Sequence, residues 1–288
     1  MKKIKLSLNY AGFCFANGKH VVRGDYKKDI KFHALFGLIY HPEKSWILFD
    51  TGYTERFYDV TKTYPNKIYA HATKVIVTKD CEIKNQLQQI GLSPSDIKHV
   101  IISHFHADHI GGLKDFNEAT MYCSILAYND VLKSNDFFAF SKGLLKDLIP
   151  FDFNQRLVFI EDIATIKTDN IFDFSYDLFN DDSILVYNLP GHAAGQIGVY
   201  IETQKNNYFL VSDSCWDERA YKFMLLPNPI VKLFFDSWDD YKSTLIKISE
   251  FSSTYPNVLI VPTHCKICSL HLLGGTINFI CSNKIILN

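Results

Sequence analysis

The segment Ser103-His104-Phe105-His106-Ala107-Asp108-His109-Ile110-Gly111-Gly112 places four potential metal ligands within six residues. Imidazole and carboxylate are borderline-hard donors that zinc, iron(II) or manganese accept, at about 2.0–2.2 Å for zinc. On a loop leaving a strand, His104 and His106 can turn to one side while Asp108 and His109 turn to another. Four such donors do not fit comfortably around one ion, so two ions sharing the loop is the simplest arrangement. Without a counter-charge, ionisable groups this close repel or lose solvation, and a cation removes that cost.

Two ions need more ligands, and the chain offers them in matching contexts. His192 follows the apolar run ILVYNL in the turn Pro190-Gly191-His192, Asp213 follows YFLVS, and His264 follows VLIVPT. Each is a lone polar residue just beyond a β-like run. A lone histidine there is more commonly a surface or satisfied core residue than a ligand. The 104–109 cluster changes that balance for all three together. Asp213 has two oxygens, so it can bridge two cations and offset their repulsion.

Short apolar runs alternating with helix-like patterns must position these groups. MKKIKLSLNYAG reads as a first strand rather than a signal peptide. LFGLIY (35–40) and WILF (46–49), separated by HPEKS, read as a hairpin ending in Asp50-Thr51-Gly52. Ile83, Leu87 and Ile90 recur at helical spacing, with Gly91 as the stop. Ser93-Pro94-Ser95-Asp96 has the form of an N-cap followed by proline, and Val100-Ile101-Ile102 is a buried strand leading straight into Ser103-His104. Further strands are expected at 158–160, 184–189, 197–201 and 208–212. A helix through Tyr241, Leu245, Ile248 and Phe251, begun by Asp239 or Asp240, precedes the strand Val258–Val261. The pattern predicts sheet layers covered by helices in one α/β domain spanning 1–288, with 270–288 as a strand pair or loosely attached tail.

The 288 residues are 47% hydrophobic and 21% charged, which fits a compact globular chain. A net charge of −1 supplies no electrostatic footprint for nucleic acid. No stretch approaches the roughly 20 apolar residues of a membrane span. The seven cysteines (14, 81, 123, 215, 265, 268, 281) are odd in number and scattered, so reduced thiols and a cytoplasmic location are expected. Cys265-Lys266-Ile267-Cys268 is a lone CxxC and weak evidence for metal or redox work.

At these residues the sequence resembles the metallo-β-lactamase superfamily. His104-Phe105-His106-Ala107-Asp108-His109 matches its HxHxDH signature, Leu189-Pro190-Gly191-His192 its second histidine loop and Val211-Ser212-Asp213 its bridging aspartate. Pro262-Thr263-His264 is similar to its final histidine, and Phe49-Asp50-Thr51-Gly52 to its early DTG turn, whose aspartate supports the metal loop. The likeness covers residues 35–264. It implies a four-layer αββα sandwich with two divalent metal ions, zinc first and iron or manganese as alternatives, at one edge between the sheets. By the family pattern His104, His106 and His192 hold the first ion, Asp108, His109 and His264 the second, and Asp213 bridges them. The single-metal penicillin-degrading branches use other residues at the positions of Asp108 and Asp213.

Two such ions lower the pKa of a bridging water towards neutrality, and the resulting hydroxide attacks a carbonyl or phosphorus. Asp108, with a spare oxygen, is the candidate for carrying a proton to the leaving group. Cys215 and Cys265, next to ligands, read as buried small residues rather than participants. Within the superfamily the chain is most similar to the N-acyl homoserine lactonase-like branch. The support is its size, the opening Ala11-Gly12-Phe13-Cys14, the 83-residue step from His109 to His192, and the 21-residue step on to Asp213. Three residues beyond the bridging aspartate that branch commonly has a tyrosine, whereas this chain has Trp216; Tyr221 is a conceivable substitute. Apolar residues at 137–153 (Phe137, Phe138, Phe140, Phe151, Phe153, with Leu144, Leu145, Leu148 and Ile149) and at 221–238 (Tyr221, Phe223, Met224, Leu225, Leu226, Phe234, Phe235, Trp238) could wall a pocket, pack the core, or form a homodimer contact.

The leading expectation is a hydrolase of an ester or lactone of a small, apolar or acyl substrate. A phosphodiesterase or nuclease with the same ligands is the alternative, with sulfur-ester or persulfide chemistry a minor third. A ligand-binding member with little turnover is the non-enzymatic reading.

Overall fold

The computed structural model describes residues 4–28, 30–135, 137, 139–168 and 171–265. The apolar C-terminal segment 270–288, Phe138 and Cys268 therefore lie outside the described residues. Seven strands from the first part of the chain are β1 (Lys5–Ala16), β2 (Ile30–His41), β3 (Ser45–Phe49), β4 (Val75–Ile76), β5 (Ile97–Ile101), β6 (Thr120–Cys123) and β7 (Leu157–Phe159). They form one sheet in the order β4-β1-β2-β3-β5-β6-β7. The remaining strands are β8 (Thr165–Lys167), β9 (Phe174–Asp177), β10 (Ile184–Asn188), β11 (Ile197–Glu202), β12 (Asn207–Ser212) and β13 (Val258–Pro262). They form a second sheet in the order β13-β12-β11-β10-β9-β8.

The apolar runs are near-continuous because both faces of the central strands are covered. In β2 and β3, Leu35, Ile39, Ile47 and Phe49 point to the second sheet, where they meet Val186, Ile197, Val199 and Leu210. Phe36, Leu38 and Leu48 point the other way, onto Ile83, Leu87, Ile110 and Leu113. The outer face of the second sheet packs Leu189, Phe209 and Val211 against Leu245, Ile248 and Phe251 of the helix Trp238–Thr254. The result is four layers, helices–sheet–sheet–helix, as expected.

The hairpin, the helix at Ile83–Gln89 and the capped turn at Pro94–Asp96 form where the sequence places them. The last long helix starts earlier than expected. Its N-cap is Ser237, whose Oγ accepts from the Asp240 amide at 3.2 Å, so Asp239 and Asp240 lie in its first turn, where the helix dipole favours negative charge. Cys81 is disulfide-bonded, which corrects the expectation of uniformly reduced thiols and removes a support for the cytoplasmic reading. No helix among the described residues is long and apolar enough to cross a membrane.

Strand direction gathers the site. β12 and β13 run parallel, and β10 is antiparallel to β11, which is antiparallel to β12. The C-terminal ends of β10, β12 and β13 therefore face one edge, carrying His192, Asp213 and His264. Ile197 donates its amide to the Ser103 carbonyl at 3.0 Å, which brings the loop after β5 to that edge from the other sheet.

Candidate metal centre

The 104–109 loop leaves β5 and enters the short helix Ala107–Ile110, so consecutive donors turn to different sides. Three overlapping groups of donor atoms result, each within 4.8 Å: His104, His106 and His192; His104, His109 and Asp213; and Asp108, His109 and His264. His192 Nε2 lies 3.1 Å from His106 Nδ1. Asp213 Oδ2 lies 3.1 Å from His264 Nε2 and 3.3 Å from His192 Nε2, while its Oδ1 lies 3.5 Å from His109 Nε2. Asp213 thus stands between the two histidine groups. Asp108 Oδ2 is 3.4 Å from His264 Nε2 and 3.6 Å from His109 Nε2. All seven sequence-predicted site residues meet in one place.

The imidazoles are oriented from behind. Asp50, in the left-handed region at φ 58°, accepts from the Ser103 amide at 2.8 Å, from Ser103 Oγ at 2.7 Å and from His109 Nδ1 at 2.7 Å. Because the Ser103 hydroxyl donates to Asp50, its oxygen accepts from His104 Nδ1 at 3.0 Å and from Ser212 Oγ at 2.8 Å. His264 Nδ1 donates to the His33 carbonyl at 2.8 Å. Each bond turns the opposite nitrogen, Nε2, towards the centre, the arrangement in which outer partners fix histidine ligands. Two glycines make the supporting turns possible. A Cβ on Gly52 (φ 58°) would stand 2.4 Å from Ala11 Cβ, and one on Gly191 (φ 128°) 2.1 Å from the Tyr241 nitrogen.

Within this cluster, His104 Nε2, His109 Nε2 and Asp213 Oδ1 are buried without a hydrogen-bond partner. Orphaned donors of this kind are costly unless something else binds them. Their chemistry, nitrogen and carboxylate oxygen converging at short range, fits divalent cations. The electrostatics agree. Burial holds His104 and His192 well below the ordinary imidazole value, as neutral nitrogen ligands must be. Burial would lower His109 too, but Asp108, Asp50 and Asp213 raise it well above. Burial would raise Asp213, but His264 and His109 hold it well below the usual carboxylate range. The carboxylates call for positive charge at the centre.

The centre floors a cavity of about 400 Å³. Phe32, Phe140, Trp216, Phe234 and Phe235 form its aromatic side. The apolar segments flagged by sequence therefore divide. Phe140, Phe234 and Phe235 face the cavity; Leu144, Leu145, Leu148 and Phe153 are core; Phe137, Phe151 and Phe223 are exposed. Trp216 Nε1 donates to Asp213 Oδ2 at 3.0 Å. Tyr221 is buried among Phe209, Leu245 and Ile248 and does not line the cavity. Cys215 and Cys265 are buried away from it, as expected. Sequence reasoning missed Tyr53 and Tyr69, which line the cavity beside Asp108. Tyr53 was discoverable, since it directly follows the Asp50-Thr51-Gly52 turn; nothing local marks Tyr69.

A family model described as the metallo-beta-lactamase superfamily matches residues 32–264. The chain belongs to the metallo-beta-lactamase superfamily. Among curated members it is similar to N-acyl homoserine lactonase AiiB of Agrobacterium fabrum, at 25% identity over 61% of this chain and 60% of that protein. It is also similar to N-acyl homoserine lactonase AttM of Azorhizobium caulinodans, at 28% identity over 47% and 49%. The aligned region thus spans about 60% of the length of the first curated superfamily relatives. Among solved superfamily structures, an N-acyl homoserine lactone hydrolase with the product N-hexanoyl-L-homoserine at its catalytic metal centre matches with TM-score 0.72 and 18% identity, covering 94% of this chain and 97% of that one. AidC, a dizinc quorum-quenching lactonase, matches with TM-score 0.63 and 17% identity, covering 92% and 90%. At these identities the structures establish the shared fold.

Proposed function

We propose that this chain is a metal-dependent hydrolase of a small ester or lactone with an apolar acyl part. The observation that carries the proposal is the convergence of seven donors, including orphaned buried atoms, on the floor of a largely aromatic cavity. The similarity to lactonases supports it. His104, His106 and His192 would hold one divalent cation, Asp108, His109 and His264 a second, and Asp213 would be shared. Zinc is the first choice, and iron(II) or manganese suit the same donors. Such a pair supplies the charge that ionises water near neutral pH and stabilises a developing oxyanion.

The chain's own groups do the rest. Phe32, Phe140, Phe234 and Phe235 bind and desolvate the acyl part. Asp108, on the cavity wall, carries a proton to the leaving oxygen. Trp216 holds Asp213 Oδ2 in place. Phosphodiester cleavage, the alternative open to this ligand set, is disfavoured by the lining: its lysine, Lys142, is held 2.7 Å from Asp130.

The test is a hydrolysis panel on the metal-loaded protein: acyl lactones, aryl esters, bis-aryl phosphodiesters and glutathione thioesters. Lactone or ester turnover is expected. Rapid phosphodiester cleavage with neither of these would overturn the proposal.

A further inference from the structure

One side of the cavity holds a row of hydroxyl and thiol groups that the metal ligands do not use. Cys14, Tyr53, Tyr69 and Thr73 all line it. The Tyr53 hydroxyl neighbours the Cys14 thiol and the Tyr69 hydroxyl, and Thr73 neighbours Tyr69. Tyr53 is anchored deep: it is 1% exposed, and its amide donates to the Ala11 carbonyl at 2.8 Å. Tyr69 lies further out, half-buried on the short helix Lys67–Ala72, which packs against the turn Ala139–Lys142. The row passes Asp108, whose charge acts on Cys14, Tyr53 and Tyr69 alike.

The Trp216 indole has its one proton committed elsewhere, and the Lys142 ammonium is drawn towards a carboxylate. The Trp216 N–H donates to Asp213 at 3.0 Å, and the Lys142 ammonium to Asp130 at 2.7 Å. A phenol oxygen can accept two hydrogen bonds and still donate one. When the row is oriented outward, with the Cys14 thiol donating to Tyr53 and the Tyr53 and Thr73 hydroxyls to Tyr69, the Tyr69 proton is left for a group in the cavity.

We propose that the Tyr69 hydroxyl donates a hydrogen bond to the leaving oxygen of the substrate, beside Asp108. The proposal rests on the ester or lactone reading above. In that reaction hydroxide oxygen bonds to the carbonyl carbon, the carbon–oxygen bond breaks, and its electron pair goes to the leaving oxygen, which takes from Asp108 the proton that this carboxylate received when the attacking water ionised. Tyr69 keeps its proton; its hydrogen bond strengthens as charge gathers on that oxygen. The helix Lys67–Ala72 then reads as a specificity element, because it places the donor.

Tyr69→Phe removes one oxygen and keeps the ring. It is expected to lower kcat/KM for lactones and alkyl esters by about 10- to 100-fold, in the range seen for losing one preorganised donor. The loss should be smaller for nitrophenyl esters, whose leaving oxygen needs little help, and bound metal should be unchanged. Tyr64→Phe, at an exposed tyrosine on the same segment, should match the native protein. No loss in Tyr69→Phe, or an equal loss for every leaving group, would overturn the proposal. A second arm needs no turnover. The ring-opened product N-hexanoyl-homoserine presents the former leaving oxygen as a free hydroxyl, so calorimetry should show about tenfold weaker binding to Tyr69→Phe. If the native protein hydrolyses no ester or lactone yet this difference appears, the hydrolase reading fails and the Tyr69 contact stands. Equal binding, or none to the native protein, would overturn the contact.

Discussion

On the ligand wall of the cavity, the donors come at or just beyond strand ends, and Asp50, Ser103, His104, His109 and Ser212 form a buried hydrogen-bond network behind them. On the substrate wall, Ile68, Phe140 and Phe234 project from short helical turns, with Ile68 and Phe234 exposed and Phe140 half-buried. Metal ligands need placement to fractions of an ångström, which packed strands and second partners provide. Apolar recognition tolerates looser placement, because burial of area has no preferred direction. The difference teaches where change is costly. On the proposed function, chemistry would be held by the strand-anchored wall and selectivity by the wall that can vary.

Removing a ligand attacks the rigid wall most directly. His106→Ala and Asp213→Ala should each lose bound metal and reduce turnover to background, a larger loss than the ~10–100-fold typical of an outer partner. Metal analysis alongside the hydrolysis assay checks both, and undiminished activity in both would break the comparison. Asp50→Asn comes next. It keeps the shape but removes the charge that accepts from His109 Nδ1 at 2.7 Å, so metal affinity or activity should fall by that ~10–100-fold, read by chelator competition.

The substrate wall should respond differently. Phe234→Ala should leave the melting temperature and metal content close to native, since the ring is 61% exposed. It should cost about 1 kcal/mol, or roughly fivefold in kcat/KM, for long acyl substrates and less for short ones. An equal loss across chain lengths would show that this wall is not where selectivity lies.

The smallest effect comes from a half-buried histidine away from the centre. Burial, with Lys44 and His41 nearby, lowers His99 from 6.5 to about 4, and its ring packs against Tyr122 and Phe179. The unfolded chain therefore takes up this proton first. Acidification from pH 6.5 towards about 4 should favour unfolding, and the contribution is fully present above that window. His99→Gln should flatten the pH dependence of the urea midpoint there, whereas an unchanged slope would remove His99 from the account.

The site was more legible than its surroundings. HFHADH announces itself because four donors in six residues have few structural uses, and His192, Asp213 and His264 follow because each caps a β run. The helix start at Ser237 was misplaced by the two aspartates, which sit in its first turn rather than at its cap. Trp216 was visible as a departure, but its bond to Asp213 depends on a rotamer no spacing encodes. Tyr69 carries no local signal at all, since it reaches the cavity only because its helix packs against a turn some seventy residues later.

Donor type, strand runs and turn signals are local or periodic properties, so residue types and spacing by themselves marked the seven candidate donors and an α/β domain, while the four layers and the division of the donors between two ions were what the family resemblance implied. Which atoms face each other across the cavity depends on contacts between segments distant in the chain. The two cavity walls, the bond from Trp216 to Asp213 and the hydroxyl row from Cys14 to Thr73 were decided only by packing, because sequence spacing says nothing about the gap between elements that the core brings together.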